Sequence, residues 1–161
     1  MDDVLDLMRA LRAGRVVAEV TQANLARRAG VTRAMLRRIE NGNPEVPVAV
    51  LEKVEGALRK LGVALLPRAG DLGRAVVVND RGFSGQMSAL KAGRALAALR
   101  QEELAAQAGV SRQMVMRVEK ADRSVAASRL QRIRAALERA GVVVLPETDS
   151  RGPAVAIRRR E

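Results

Sequence analysis

The chain has 161 residues and a formal net charge of +11, with 29 Lys and Arg against 18 Asp and Glu. It contains no Cys and no His, which excludes disulfides, Cys-based metal or redox sites, and the commonest catalytic base and metal ligand. Phe83 is the only aromatic residue, so base stacking on aromatic platforms is essentially excluded. With no Gly-rich phosphate loop and no paired carboxylates, we expect neither an enzyme nor a bound cofactor or metal.

The sequence is an internal duplication. Residues 90–157 repeat residues 11–78 at a constant offset of 79 without insertion, and 26 of the 68 aligned pairs are identical. A repeat of this length is a small domain rather than a solenoid turn, because solenoid repeats span roughly 20–50 residues and need at least three copies. Each copy alone has a small core, so we expect the two copies to pack on each other.

The charge is distributed unevenly between the halves. Residues 1–80 contain 13 basic and 10 acidic side chains, whereas residues 81–161 contain 16 and 8, giving about +3 and +8. This balance indicates a polyanionic partner. The sequence contains no apolar run approaching the roughly 20 residues that a membrane helix needs, so no membrane association is expected.

The first copy shows helical spacing of apolar residues followed by two strand-like runs. The spacing predicts helices over 6–18, 22–29, 33–41 and 47–60, and strands over 63–67 and 75–78. Thr21 and Thr32 are expected N-caps, and Gly30 an expected left-handed C-cap. Gly14 lowers the propensity of the first helix, as its equivalent Gly93 does in the second copy, and both indicate close packing or a kink.

The second copy repeats this order of elements. Helices are predicted over 86–98, 101–108, 112–120 and 125–140, and strands over 142–145 and 154–157. The predicted domains are therefore 1–79 and 86–161, joined by a polar, Gly-rich linker over 80–85. Because an isolated hairpin is marginally stable, the two hairpins should pair, either in one sheet within the chain or with a second chain. The tail 158–161 is expected to fray.

Each copy contains two short predicted helices joined at a glycine. These segments read TQANLARRAGVTRAMLRRIE and RQEELAAQAGVSRQMVMRVE. In the first, Ala26 is small where two helices would cross, Gly30 permits a tight turn, and Leu36 and Ile39 anchor the second helix. The opposite face of that second helix is left available for the major groove of DNA.

This pattern resembles the XRE (lambda-repressor-like) family of helix-turn-helix transcription regulators, over nearly the whole chain and twice. The resemblance rests on the Q-x-x-L-A-x-x-A-G-V-[ST]-R run and on the glutamate that ends the second helix. It implies a mainly α fold of two tandem four-helix lambda-repressor-like helix-turn-helix domains, each followed by a short β-hairpin. It further implies binding of double-stranded DNA, transcription regulation as repressor or activator, and a location in the bacterial cytoplasm, on the nucleoid when DNA is bound.

The resemblance also assigns roles to residues. The base-contacting candidates are Arg33, Ala34, Arg38, Arg112, Gln113 and Arg117. Arginine suits guanine, glutamine suits adenine, and the alanine suits a thymine methyl group. The phosphate-contacting candidates, which position the protein without specifying sequence, are Gln22, Thr32, Arg37, Asn41, Arg100, Gln101, Ser111 and Lys120.

Several of these residues have structural alternatives. Gln22 and Gln101 are also suited to supporting helix ends, while Met35 and Met114 are interpreted as packing residues. The closing glutamates Glu40 and Glu119 have more than one candidate partner, which are Arg28 and the early-helix arginines Arg15 and Arg94.

Two functions remain open from the sequence. The first is a regulator that reads two unequal major-groove half-sites with the helices at 32–41 and 111–120. The second is a protein-interaction module of the anti-activator or antitoxin type, built from repurposed helix-turn-helix domains; the lower charge of the first copy keeps this reading open for that copy. Candidate protein partners are a second copy of the chain, bound through the hairpins, and RNA polymerase or another regulator.

Overall fold

The structure, a computed structural model, describes residues 2–159, with the side chain of Asp2 left out. Within this range the same order of four helices and two short strands occurs twice. The elements of the first copy are α1 (Asp2–Ala18), α2 (Gln22–Ala29), α3 (Arg33–Glu40), α4 (Val48–Lys60), β1 (Leu65–Leu66) and β2 (Ala75–Val77). Those of the second copy are α5 (Gly82–Leu96), α6 (Gln101–Ala108), α7 (Arg112–Glu119), α8 (Ala127–Arg139), β3 (Val142–Leu145) and β4 (Ala154–Ile157).

The first helix of each copy begins four residues earlier than predicted, at Asp2 and at Gly82. Residues 82–85 therefore belong to α5 and not to the predicted linker. Glu147, from the turn between β3 and β4, accepts a hydrogen bond from the first helical N–H, that of Gly82, at 3.1 Å. Because this acceptor is 65 residues away in the chain, the local sequence pattern gave no sign of it.

Some of the remaining boundaries differ from the prediction by one or two residues, and the others coincide with it. Pro47 is the N-cap of α4 rather than its first residue, and α8 begins two residues later than predicted, at Ala127. Helices α3 and α7 end at Glu40 and Glu119, one residue earlier than predicted. The first strand is shorter than predicted, and its pairing is confined to two residues.

The two hairpins form one four-stranded antiparallel sheet in the order β1-β2-β4-β3. The central pair, β2 with β4, joins the two copies, and Val76 lies opposite Val155. Of the two pairings that the sequence left open, the structure therefore has the one within the chain. Val76 and Val155 are equivalent residues of the duplication, so a local twofold axis passes through this pair.

The copies also share their core. Helices α1 and α5, equivalent in the duplication, pack against each other. Buried residues of both copies belong to a single hydrophobic cluster, which includes Leu11 of α1 and Leu90 of α5. The expectation that the two small cores would pack together is confirmed.

Gly14 and Gly93 mark close packing between the first helix of each copy and the elements that cover it. A Cβ atom on Gly93 would lie 2.7 Å from Val142 Cγ1 and 3.2 Å from Val155 Cγ2. A Cβ atom on Gly14 would lie 3.1 Å from Leu58 Cδ1. The glycines lower helix propensity and in return permit this close approach.

The start of the C-terminal tail does not fray, contrary to expectation. Arg158 Nη1 lies 2.6 Å from Asp71 Oδ2, and the Arg159 N–H donates to the Asp71 carbonyl at 2.8 Å. The Arg159 guanidinium also lies 3.8 Å from the buried carboxylate of Asp6. These contacts join the second copy to the first, which the composition of the tail did not reveal; Arg160 and Glu161 lie outside the described residues.

Candidate nucleic-acid interface

In the first copy, α2 and α3 form a helix-turn-helix. Gly30 ends α2 in the left-handed region at φ 70°, as predicted, and its N–H donates back to the carbonyls of α2. Leu25 and Ala26 are buried on one helix, and Leu36 and Ile39 on the other. This anchoring leaves the opposite face of α3 exposed, with Arg33, Ala34, Arg37 and Arg38 on it.

In the second copy, α6 and α7 repeat this geometry. Gly109 has φ 67°, and the inward residues are Leu104 and Ala105 on α6 and Val115 and Val118 on α7. On the outer face Arg112 and Gln113 are exposed, whereas Arg117 is partly exposed. Met35 and Met114 are partly buried and packed against the core, as expected of packing residues.

A buried ion pair holds each recognition helix against the first helix of its copy. Arg15 Nε lies 2.8 Å from Glu40 Oε1, and Arg94 Nε lies 2.7 Å from Glu119 Oε2. The carboxylate side chains are only 4% and 6% exposed. The early-helix arginines are thus the partners of the closing glutamates, whereas Arg28 donates instead to Asn24.

The two glutamines predicted to contact the DNA backbone belong to the same networks. Gln22 Nε2 donates to Glu40 at 3.2 Å, and Gln101 Nε2 donates to Glu119 at 3.1 Å. Both glutamines remain partly exposed, and the ion pair orients their amides. Gln22 and Arg33 also line one open surface depression of about 480 Å³, so the structure brings a phosphate candidate and a base candidate of the first copy together.

The hydroxyl candidates are the N-caps of the recognition helices. Thr32 Oγ1 accepts from the Met35 N–H at 3.0 Å, and Ser111 Oγ accepts from the Met114 N–H at 3.1 Å. Each hydroxyl keeps its own O–H available as a donor to a phosphate oxygen. The remaining phosphate candidates Arg37, Asn41, Arg100 and Lys120 are all exposed.

Arg100 occupies the N-cap position of α6, where the first copy has Thr21. Its side chain has no acceptor, and Glu103 Oε1 instead accepts the Arg100 backbone N–H at 3.0 Å and its Nε at 2.9 Å. The backbone hydrogen bond from Arg100, and then the side-chain one, lower the pKa of Glu103. The side-chain hydrogen bond to Glu103, and then the charge of Glu103, raise the pKa of Arg100. A carboxylate from within the helix thus takes the place of the hydroxyl cap that Thr21 supplies to α2.

The sequence reasoning missed two acidic residues at this surface. Glu102 Oε1 lies 3.3 Å from Arg112 Nε, and Asp122 Oδ2 lies 2.8 Å from Arg117 Nε. Both arginines are base-contacting candidates. Each of these two candidates therefore forms an ion pair with a carboxylate in the absence of DNA. Comparison of the two copies could have revealed these residues, because the equivalent positions in the first copy are the uncharged Ala23 and Asn43.

Arg12 links the first recognition helix to the second copy. Its Nη1 donates to the Glu40 carbonyl at 3.0 Å and its Nε to the Ala95 carbonyl at 2.9 Å. Burial lowers the pKa of Arg12 from its ordinary value, with the charge of Glu40 opposing that effect. This contact fixes α3 relative to α5.

The fold and this surface define the class: two helix-turn-helix units in one chain, each with an exposed recognition helix. A family model described as Helix-turn-helix (HTH_3, the XRE type) matches residues 11–63 and again residues 90–140. The chain belongs to this helix-turn-helix family, a DNA-binding regulatory family. No curated protein and no solved structure matches the chain.

Among residues 2–159, none of the helices is both long enough and apolar enough to cross a membrane. Within the same range, no group of three or more acidic side chains is arranged to hold a metal ion.

Proposed function

We propose that the protein is a sequence-specific regulator of transcription that reads two half-sites of double-stranded DNA with α3 and α7. Repressors and activators both fit this proposal. We place its action in the bacterial cytoplasm, on the nucleoid when DNA is bound, because of the resemblance to bacterial XRE regulators.

The observation that carries the proposal is the local twofold axis through Val76 and Val155. Helix-turn-helix homodimers bind DNA half-sites on one face of the duplex, about 34 Å apart. One chain with two copies around a twofold axis imitates such a dimer. The second half-site then binds intramolecularly, which raises the overall affinity without a partner chain.

The composition of the recognition helices supports unequal half-sites. The first copy presents Arg33 and Ala34 where the second presents Arg112 and Gln113. Arginine prefers guanine, whereas glutamine prefers adenine. The operator is therefore expected to be asymmetric, although the protein is nearly symmetric.

The test is selection of bound sequences from a random pool of DNA duplexes, followed by affinity measurements at several salt concentrations. We expect two unlike half-sites and a logarithm of the binding constant that falls steeply with the logarithm of salt concentration, with a slope of about −0.9 for each phosphate contacted. A perfect palindrome bound by one chain would contradict the proposal that α3 and α7 prefer different base sequences. Absence of duplex binding at low salt would contradict the proposal as a whole and favour a protein-interaction module.

A further inference from the structure

The second half of the chain is the more basic half, but its helix-turn-helix is less basic than that of the first half. Residues 20–43, which contain the first helix-turn-helix, include five arginines and one glutamate. The equivalent residues 99–122 include four basic and four acidic side chains. The half that is more basic overall thus has the electrically balanced helix-turn-helix, because most of its excess positive charge lies elsewhere.

Two of these acidic residues, Glu102 and Asp122, lie against the base-contacting candidates Arg112 and Arg117. Besides its contact with Asp122, Arg117 donates from Nη2 to Ser124 Oγ at 2.9 Å. Arg112 and Glu102 form their ion pair with both side chains 56% exposed. Both pairs therefore lie at the surface that DNA would approach, and not in the core.

The first copy lacks these ion pairs. Ala23 and Asn43 occupy the positions equivalent to Glu102 and Asp122, and within residues 3–159 neither Arg33 nor Arg38 has a carboxylate in salt-bridge distance. The same arginines are thus present in both copies, but only those of the second copy are neutralised.

The charge of Asp122 is not needed for the local fold. Asp122 Oδ1 accepts the Ser124 backbone N–H at 2.9 Å, and Asn43 Oδ1 accepts the Glu45 backbone N–H at the same distance. An amide oxygen therefore supports this turn as well as a carboxylate does. The second carboxylate oxygen of Asp122 is the one that engages Arg117.

These pairs oppose DNA binding in two ways. An arginine must leave its carboxylate before it binds a base or a phosphate, and the carboxylate then remains close to the phosphates and repels them. Hydrogen bonds from Ser124, and then Arg117, hold the pKa of Asp122 well below its ordinary value. Asp122 is therefore ionised in the free protein, where its charge neutralises that of Arg117.

We propose that Glu102 and Asp122 mask the recognition helix of the second copy, so that the first copy supplies most of the affinity and base preference. This inference rests on the proposed DNA-binding function. It makes Glu102 and Asp122 specificity-determining residues: they keep the second half-site weak and the operator dominated by the half-site of α3.

The first experiment compares loss of the arginines in the two copies. Arg33→Ala with Arg38→Ala is expected to weaken binding of the selected duplex at least about 10-fold more than removal of the second copy's arginines together with their carboxylates (Arg112→Ala, Arg117→Ala, Glu102→Ala and Asp122→Asn), because only the first arginine pair binds without first breaking an ion pair. Equal losses from these two variants would overturn the proposal. Thermal unfolding of each variant checks that the fold is retained.

The second experiment removes the mask with residues that the chain itself uses in the first copy. Glu102→Ala with Asp122→Asn is expected to raise affinity about 10-fold and to strengthen the preference at the second half-site. The matched control is Glu138→Gln with Asp149→Asn, which changes the net charge equally but outside the helix-turn-helix. An increase no larger than that of the control would overturn the proposal.

The reciprocal change tests the same mask in the first copy. Ala23→Glu with Asn43→Asp is expected to weaken binding about 10-fold, and unchanged affinity would count against the proposal. The wild-type protein separates the two levels of inference. If the wild-type protein binds no duplex, the proposed function fails. If it binds, but adding or removing these carboxylates leaves its affinity unchanged, only the proposed masking fails.

Discussion

Val76 and Val155 lie directly opposite each other in the central strand pair, and they are the same residue of the two copies. Both side chains are fully buried. The antiparallel pairing of β2 with β4 therefore joins equivalent strands of the two copies. A homodimer with an isologous interface pairs equivalent surfaces in the same way. The covalent link makes this interface permanent, so the relative position of α3 and α7 does not depend on protein concentration.

We predict that the two copies unfold together. Val76→Ala and Val155→Ala should each lower the free energy of unfolding by about 2 kcal/mol, because both open a cavity in the shared core. The double variant should deviate from additivity by at least about 0.5 kcal/mol, since the two residues are directly opposite each other across the strand pair. Urea unfolding followed by circular dichroism checks this. Two separate unfolding transitions, of which each single substitution shifts the midpoint of only one, would show that the copies unfold independently.

Three of the helical glycines should respond differently to alanine. Gly93→Ala should destabilise the protein by about 1–3 kcal/mol, because the new Cβ overlaps Val142. Gly14→Ala should be milder, since Leu58 leaves slightly more room. In Gly56→Ala the new Cβ meets no atom within 4 Å, so this control should gain about 1 kcal/mol from helix propensity. Urea unfolding gives the order, and stabilisation by Gly93→Ala would contradict the packing of α5 against the sheet.

Ala98 has a backbone conformation that favours glycine. It lies in the left-handed region at φ 59°, as its equivalent Glu19 does at φ 56°. Ala98→Gly should therefore raise the free energy of unfolding by about 1 kcal/mol. Ala106→Gly, at an exposed position inside α6, should instead lower it by about 1 kcal/mol. The melting temperatures of the two variants should shift in opposite directions, and a shared direction would argue against this conformation.

The stability of the fold depends on the ion pair between Arg15 and Glu40, because the Glu40 carboxylate is buried. Arg15→Ala should lower the free energy of unfolding by about 3 kcal/mol, because it leaves a carboxylate buried without its cation. Combining it with Glu40→Gln should restore part of this loss, since the uncompensated charge is removed. Chemical denaturation of the two variants provides the measurement. If the double variant is less stable than Arg15→Ala alone, the buried charge is not the cause.

Glu103 makes the stability of α6 depend on pH. Its pKa is lowered in the folded protein, so its contribution is present above the pKa of about 4.3 of an unfolded glutamate and is lost as the pH falls through the folded value. Glu103→Ala should thus lower the melting temperature at pH 7 and have a smaller effect at pH 3. An effect of equal size at both pH values would indicate packing rather than the hydrogen bond to Arg100.

The sequence alone predicted the features that depend on neighbouring residues. The offset of 79 revealed the duplication, and the apolar spacing around Gly30 and Gly109 predicted the helix-turn-helix in both copies. The same spacing placed Arg33 and Arg112 on the exposed face, where the structure has them. Helix periodicity, capping and turn formation are local, so they can be inferred within a window of about 20 residues. The DNA contacts assigned to these side chains stay predictions.

The tertiary structure alone decided the features that join distant residues. It paired β2 with β4 rather than with a second chain, gave the N-terminus of α5 its acceptor in Glu147, and held Arg158 against Asp71. It also set Glu102 and Asp122 against the recognition arginines. The sequence contained these residues, but their partners are determined by contacts through space. The likeness of the copies was therefore predictable, whereas the masking that makes them unequal required the positions of the side chains.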